Sequence, residues 1–175
     1  KTMLVQALAG ILPPPTTQKA LDISSIHSLA AHQATGIMNQ RPIRSPHHTA
    51  SAISMIGGGA VPCPGEISLA HHGVLFLDEI AEFPRYVLEV LRQPLEEGII
   101  TINRASRSQQ FPARFMFVAA QNPCPCGFYG DRERSCICTA AQLARYRHRL
   151  SGPLLDRIDL VIPVQRVPLE ELQYP

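Results

Sequence analysis

At 175 residues, 45% of them hydrophobic, the chain is long enough to bury one compact core and falls within the size of a single domain, 1–175. A formal net charge of +2 excludes nucleic-acid binding by bulk electrostatics and leaves only local basic clusters such as Arg145, Arg147 and Arg149. No apolar run approaches the roughly 20 residues of a membrane span, so the reading is a soluble, cytoplasmic protein without a membrane partner.

The sequence opens on Lys1-Thr2, and the spacing predicts a helix from Met3 to Leu12 that Pro13-Pro14-Pro15 stops. Lys-Thr at a helix start has the form of the end of a phosphate-binding loop, in which Lys reaches the β- and γ-phosphates and Thr binds Mg²⁺. Without glycines before it, the dipeptide also fits an ordinary exposed helix start. Leu21 to Ala34 carries Ile23, Ile26, Leu29, Ala30 and Ala34 at helical spacing, with Gly36 as terminator. Arg41 to Pro46 reads as a short strand with proline at its ends. His47-His48 and His71-His72 receive no metal, because adjacent side chains diverge on a helix or strand.

Ser51 to Ile56 predicts a short helix, and Gly57-Gly58-Gly59 opens a glycine- and proline-rich loop or hairpin through Gly65. Val74-Leu75-Phe76-Leu77 then runs straight into Asp78-Glu79. An apolar run of this length reads as a buried parallel strand with carboxylates at its C-terminal end, where open α/β sheets place their chemistry. In a nucleotide-hydrolysing sheet, Asp78 would hold Mg²⁺ and Glu79 would orient or deprotonate the attacking water. The plain alternative is a strand followed by a polar turn.

Arg85 to Glu97 predicts one helix closed by Gly98. Ile99 to Ile102 and the segment near Phe111 predict the two arms of a β-hairpin joined by Asn103 to Gln110, with Arg104 and Arg107 at its tip. Those arginines are either solvated or in contact with phosphates. Arg114 to Ala120 predicts a second buried strand, ending in Gln121-Asn122, where Asn122 could help position the attacking water. Cys124-Pro125-Cys126 and Cys136-Ile137-Cys138 follow, separated by nine residues. Two close thiol pairs in a cytosolic chain point to zinc rather than disulfides, although one-residue spacing is tighter than usual, and reduced thiols are the alternative. Thr139 to Gln142 is a capping-box sequence for a helix reaching Leu150 and stopped by Gly152-Pro153, and Leu160 to Val164 predicts the last strand.

Taken in order, Lys1-Thr2, Arg41 to Thr49, Gly73 to Glu79, Phe111 to Gly127 and Leu150 to Leu160 resemble the magnesium-chelatase-like AAA+ ATPases, most closely their bacterial ComM type. The resemblance implies an α/β P-loop NTPase core, a parallel sheet flanked by helices with a helix-2 insert at Gly57 to Gly65 and a pre-sensor-1 β-hairpin at Ile99 to Arg114. It also implies that Lys1 and Thr2 end Walker A, Asp78 and Glu79 form Walker B, Asn122 is sensor 1 and Arg157 is an arginine finger. The implied cofactors are ATP and Mg²⁺, and the implied assembly is a homo-oligomer, a hexamer, acting on DNA as a helicase in branch migration during recombination and natural transformation. A chelatase motor subunit and a metal-stabilised interaction domain without ATPase activity are the competing classes. Walker A glycines and the C-terminal lid are missing from the pattern, so this stretch alone is expected to bind nucleotide weakly and to be inactive.

Overall fold

In a computed structural model, residues 2–32, 36–59, 61–104, 107–131 and 133–164 are described. The chain divides into two compact units, one of residues 2–121 and one beginning at Asn122.

The first unit is built on a parallel sheet. Strands β1 (Ile43–Arg44), β4 (Val74–Leu77) and β7 (Met116–Ala119) pair in the order β1-β4-β7, with Val74 opposite both Ile43 and Met116. The central strand is buried throughout, Leu75 and Leu77 being 0% exposed, as its uninterrupted apolar sequence requires of a strand covered on both faces. Gly73 precedes it because a Cβ there would lie 1.9 Å from the Pro42 carbonyl oxygen, which accepts the Val74 N–H. Strand β7 departs from expectation: Met116 and Ala119 are exposed and Phe117 and Val118 half-buried. Among the described residues it has one strand neighbour, at the edge of the sheet, so its apolar residues are not enclosed as those of β4 are.

Helix α1 (Thr2–Ile11) ends before the prolines, as predicted. Helix α2 (Thr17–Ala31) begins earlier than its apolar spacing suggested, because the Thr16 hydroxyl caps it by accepting the Lys19 N–H. It ends at His32, in the left-handed conformation with its N–H on the Leu29 carbonyl, before Gly36 is reached. Helix α3 (Ala52–Ile56), capped by Ser51, leads into a hairpin of β2 (Gly57–Gly58) and β3 (Cys63–Pro64), and α4 (Glu66–Leu69) returns to β4. The predicted helix from Arg85 to Glu97 is instead two helices, α5 (Arg85–Glu89) and α6 (Arg92–Glu97). Pro94 has no N–H for the Val90 carbonyl and its ring crowds that carbonyl, so the helix breaks between them. Strands β5 (Ile99–Arg104) and β6 (Arg107–Pro112) form the predicted antiparallel hairpin with longer arms than expected, because pairing continues through Asn103 and Ser108 to the Arg104 and Arg107 pair.

The second unit contains α7 (Ala140–Arg147) and the short α8 (Gly152–Leu155). The capping box is complete: Thr139 Oγ1 accepts the Gln142 N–H at 3.3 Å, and Gln142 Oε1 accepts the Thr139 N–H at 2.8 Å. Gly152-Pro153 opens α8 rather than only stopping what precedes it, since proline in a first turn loses no intrahelical hydrogen bond. Leu160 to Val164 is not a strand. These residues are exposed, and no strand among the described residues pairs with them.

Candidate functional site

Asp78 and Glu79 leave the C-terminal end of β4, Asp78 half-buried and Glu79 exposed. Pairing with β7 continues past the strand itself: Ala120 donates to the Leu77 carbonyl at 2.9 Å, and Ile80 donates to the Ala120 carbonyl at 3.0 Å. Between these two fixed points the chain must reverse, and Glu79 does so with φ 50° and ψ 47°. A non-glycine residue in this region is strained by roughly 1–3 kcal/mol, and such strain concentrates at working sites. The reversal is secured by Glu82 N–H on the Glu79 carbonyl at 2.7 Å, by the Glu79 N–H on Asp78 Oδ1 at 3.0 Å, and by burial of Ile80, Ala81 and Phe83. His48 meets Phe83 edge to face at 6.4 Å, so the Pro46-His47-His48-Thr49 segment packs on the turn that follows Glu79.

Helix α1 enters the same site. Val5, three residues after Thr2, packs with Phe76, two residues before Asp78, and with Ala120. The start of α1 and the acidic end of β4 therefore share one apolar base. Lys1 lies outside the described residues, as do the side chains of Thr2, Arg104 and Arg107. Asn122 opens the second unit. Arg157 follows α8 in that unit, half-buried, with its Nη1 donating to the Pro153 carbonyl.

Two arrangements were not foreseen from the sequence. Arg44 forms a two-pronged ion pair with Glu66, at 2.6 and 2.7 Å, tying β1 to α4, and this partner holds the guanidinium pKa above its ordinary value. The His71 and His72 rings do not diverge: they lie 3.8 Å apart because His72 has φ 58°. His72 Nε2 is 3.5 Å from Asp22, and the three side chains are close enough to suggest a metal site. His71 Nδ1, however, accepts the Arg114 N–H at 3.0 Å, which puts the ring proton on Nε2 and leaves no free lone pair for a cation. The histidine turn is a clamp, completed by the His72 N–H on the Arg114 carbonyl at 2.6 Å and by Arg41 on the His72 carbonyl at 2.6 Å. Desolvation, then the nearby charges of His72 and Arg114 against the opposing pull of Asp22, lower the His71 pKa to about 4 and keep it neutral.

In the second unit the four predicted cysteines converge. Cys124 Sγ is 3.3 Å from Cys126 Sγ and 3.7 Å from Cys136 Sγ, Cys126 and Cys136 are 3.6 Å apart, and all four sulfurs including that of Cys138 lie within 4.8 Å of one another. All are free thiols. Backbone N–H bonds from Phe128 and Ile137, helped by neighbouring thiols, bring Cys126 down to about 6. Cys138 is pushed up to about 12: the Cys126 N–H favours its thiolate, but desolvation and the crowd of neighbouring sulfurs outweigh that bond. The rings after the first pair hold cations, Arg134 over Phe128 at 5.3 Å and Arg147 over Tyr129 at 5.1 Å.

A parallel sheet flanked by helices, with carboxylates at the end of its central strand, together with the family match that follows, defines a P-loop NTPase core of the AAA+ class. The chain belongs to the family described as magnesium chelatase, subunit ChlI, which matches residues 1–172. It is 51% identical over 175 residues to the competence protein ComM of Haemophilus influenzae, covering 99% of this chain and 34% of that protein. It is also 51% identical over 170 residues to the uncharacterized protein YifB of Salmonella typhimurium, covering 96% and 33% respectively. Similarity to the magnesium-chelatase subunit ChlI of Anabaena variabilis is 33% over 60 residues, 34% of this chain and 18% of that protein. The match to ComM over nearly the whole of this chain bears out the ComM-type resemblance. The chain spans about a third of the length of the ComM and YifB relatives. Among the described residues, no helix is long and apolar enough to cross a membrane.

Proposed function

We propose that the full-length protein is an ATP-hydrolysing AAA+ motor of the ComM type, a cytoplasmic homo-hexamer that acts on DNA as a branch-migration helicase in recombination and natural transformation. The observation that carries this reading is the shared base of Val5, Phe76 and Ala120, which sets the helix beginning at Thr2 against the strand ending in Asp78 and Glu79. Both units, 1–175 as a whole, belong to one ATPase core. ATP is the substrate, and Mg²⁺, when bound, neutralises charge on its phosphates. A half-buried carboxylate at a strand end suits that hard cation. Lys1 binds phosphate, Thr2 and Asp78 hold the ion, and Glu79 orients and deprotonates water. Asn122 positions that water, and Arg157 neutralises charge developing on the γ-phosphate of a neighbouring subunit. Arg104 and Arg107 at the hairpin tip contact DNA phosphates, and zinc at Cys124, Cys126, Cys136 and Cys138 completes the set of bound groups.

The test is ATP turnover of the full-length protein with and without DNA. Stimulation by DNA is expected. Turnover stimulated only by a porphyrin-metallating partner would move the protein to the chelatase class, and no turnover at all would leave an interaction domain. Glu79→Gln should retain ATP binding while turnover falls by roughly 10²-fold or more, since an amide keeps the shape but cannot accept the proton. Turnover near the unsubstituted rate would remove Glu79 from the mechanism.

A further inference from the structure

The structure assigns to the four cysteines a closed, sulfur-only zinc centre that takes the place of a hydrophobic core in the second unit. The inference rests on the zinc reading above and goes further, to what the metal does.

Size comes first. A tetrahedron of sulfurs bonded to one zinc at 2.3 Å has edges of about 3.8 Å. The three sulfur pairs at 3.3, 3.7 and 3.6 Å are already near that spacing, and they leave room for one ion but not for a polynuclear iron–sulfur cluster. Four sulfurs fill a tetrahedral shell, so no position remains for water or substrate, which is the mark of a structural site rather than a catalytic one. Binding is without redox change: Zn²⁺ gains four thiolate bonds, and the protons still held by the thiols pass to solvent.

The surroundings are built for the resulting dianion. The Tyr129 N–H donates to Cys124 Sγ at 3.3 Å, and the backbone amides of Cys126, Phe128, Ile137 and Cys138 lie close enough to the other three sulfurs to favour their thiolates. Gly127 at φ 82° and Gly130 at φ 80° supply the left-handed turns that fold the loop back between the two cysteine pairs.

What the metal replaces is visible in the burial. From 122 onward, the buried apolar side chains among the described residues are Cys124, Tyr146, Leu150 and Leu154, while Ile137, Leu160, Val161 and Ile162 are each more than 70% exposed. So small a core does not order a segment of this length without a staple. Cys124, a ligand, is itself one of these few buried side chains at 1% exposed, and Arg147 of α7 lies over the ring of Tyr129, whose N–H donates to Cys124.

The test uses full-length protein, purified reduced and without added metal. Metal analysis should give about one zinc per chain, and replacement by Co²⁺ should give the charge-transfer absorption of a four-thiolate site. Zinc is then extracted with a mercurial and a chelator, the mercurial is reversed with thiol, and backbone hydrogen exchange is followed by mass spectrometry. Exchange across 140–155 should speed up by roughly tenfold or more, while β4 and β7 keep their protection, and added zinc sulfate should restore the original rates. Freshly purified protein without zinc, or with iron in its place, overturns both the zinc reading and this inference. One zinc with unchanged exchange after extraction leaves the zinc reading standing and overturns the structural role. A cobalt spectrum with fewer than four sulfurs overturns the closed shell. Extraction rather than cysteine replacement keeps the result independent of whether a variant folds.

Discussion

In residues 2–121 the ordering element is β4, four apolar residues no more than 2% exposed with a paired strand on either side, whereas from 122 onward four cysteines converge where, among the described residues, a core of that kind is missing. The first region gains its stability from area removed from water, which a sheet interior supplies in large amounts. On the proposed zinc reading, the second holds thiols that become a scaffold when the metal joins them. The difference teaches where each region is vulnerable: one to cavities and buried charge, the other, if it holds zinc as proposed, to loss of that metal. In the proposed mechanism it also separates the chemistry, with Asp78 and Glu79 in the packed region and Asn122 and Arg157 in the stapled one.

The largest effect should come from Arg157. If the second region were scaffold alone, Arg157→Ala would lower its stability and leave turnover per folded molecule unchanged. If the guanidinium neutralises charge on a neighbour's γ-phosphate, turnover should fall by roughly 10³-fold or more with nucleotide affinity largely intact. Mixing Arg157→Ala with Glu79→Gln subunits sharpens the test, because some interfaces then combine a native Glu79 with a neighbour's native Arg157. Partial recovery is expected. Absence of recovery, with subunit exchange verified, would end the assignment in trans.

A smaller effect probes the packed region. His71 has its pKa lowered from an ordinary 6.5 to about 4 by burial and its cationic neighbours. Between those values the unfolded chain binds the proton and the folded one does not, so stability is full above about pH 6.5 and is lost as pH falls towards 4. One such group contributes a slope of at most about 1.4 kcal/mol per pH unit. His71→Asn keeps an acceptor for the Arg114 N–H but cannot titrate. Urea unfolding monitored by protection of β4 should show a flatter pH profile in the variant. An unchanged profile would mean that other groups set the acid limit.

Much of the core was legible because its signals are local. The apolar run of β4, the capping box at Thr139, the glycines of the β2–β3 hairpin and the β5–β6 hairpin each announce themselves within a few residues. The break between α5 and α6 was also written locally, in Pro94, but the apolar spacing on both sides masked it. What could not be read depends on distant partners. His72 takes its positive φ because Arg114, Arg41 and Asp22 hold the turn from other elements, and no neighbouring residue signals that. Met116 and Leu160 to Val164 looked like buried strand residues because apolar sequence reports a capacity for burial, while burial itself requires a second surface. For the cysteines, spacing gave the residues but not their convergence, which needed the turns at Gly127 and Gly130.

The smallest effect concerns Arg147, where two explanations overlap. It lies in the last turn of α7, where a cation offsets the helix dipole by about 0.3–1 kcal/mol, and over the Tyr129 ring, where an exposed cation–π contact contributes about 0.5–1 kcal/mol. Tyr129 is also the backbone donor to Cys124, so the ring contact ties α7 to the cysteine loop, whereas the dipole does not. Arg147→Gln removes both effects and Tyr129→Leu removes only the ring, so the double variant isolates the contact. A coupling of about 0.5 kcal/mol, read from the stability of the zinc-loaded full-length protein, is expected. After zinc extraction the coupling should vanish, because the loop that presents the ring is no longer held. Coupling that survives extraction would show that packing around Tyr129 orders the second region without its metal, and would erase the contrast with β4. Unchanged stability with weaker DNA binding would place the Arg147 guanidinium on phosphate instead.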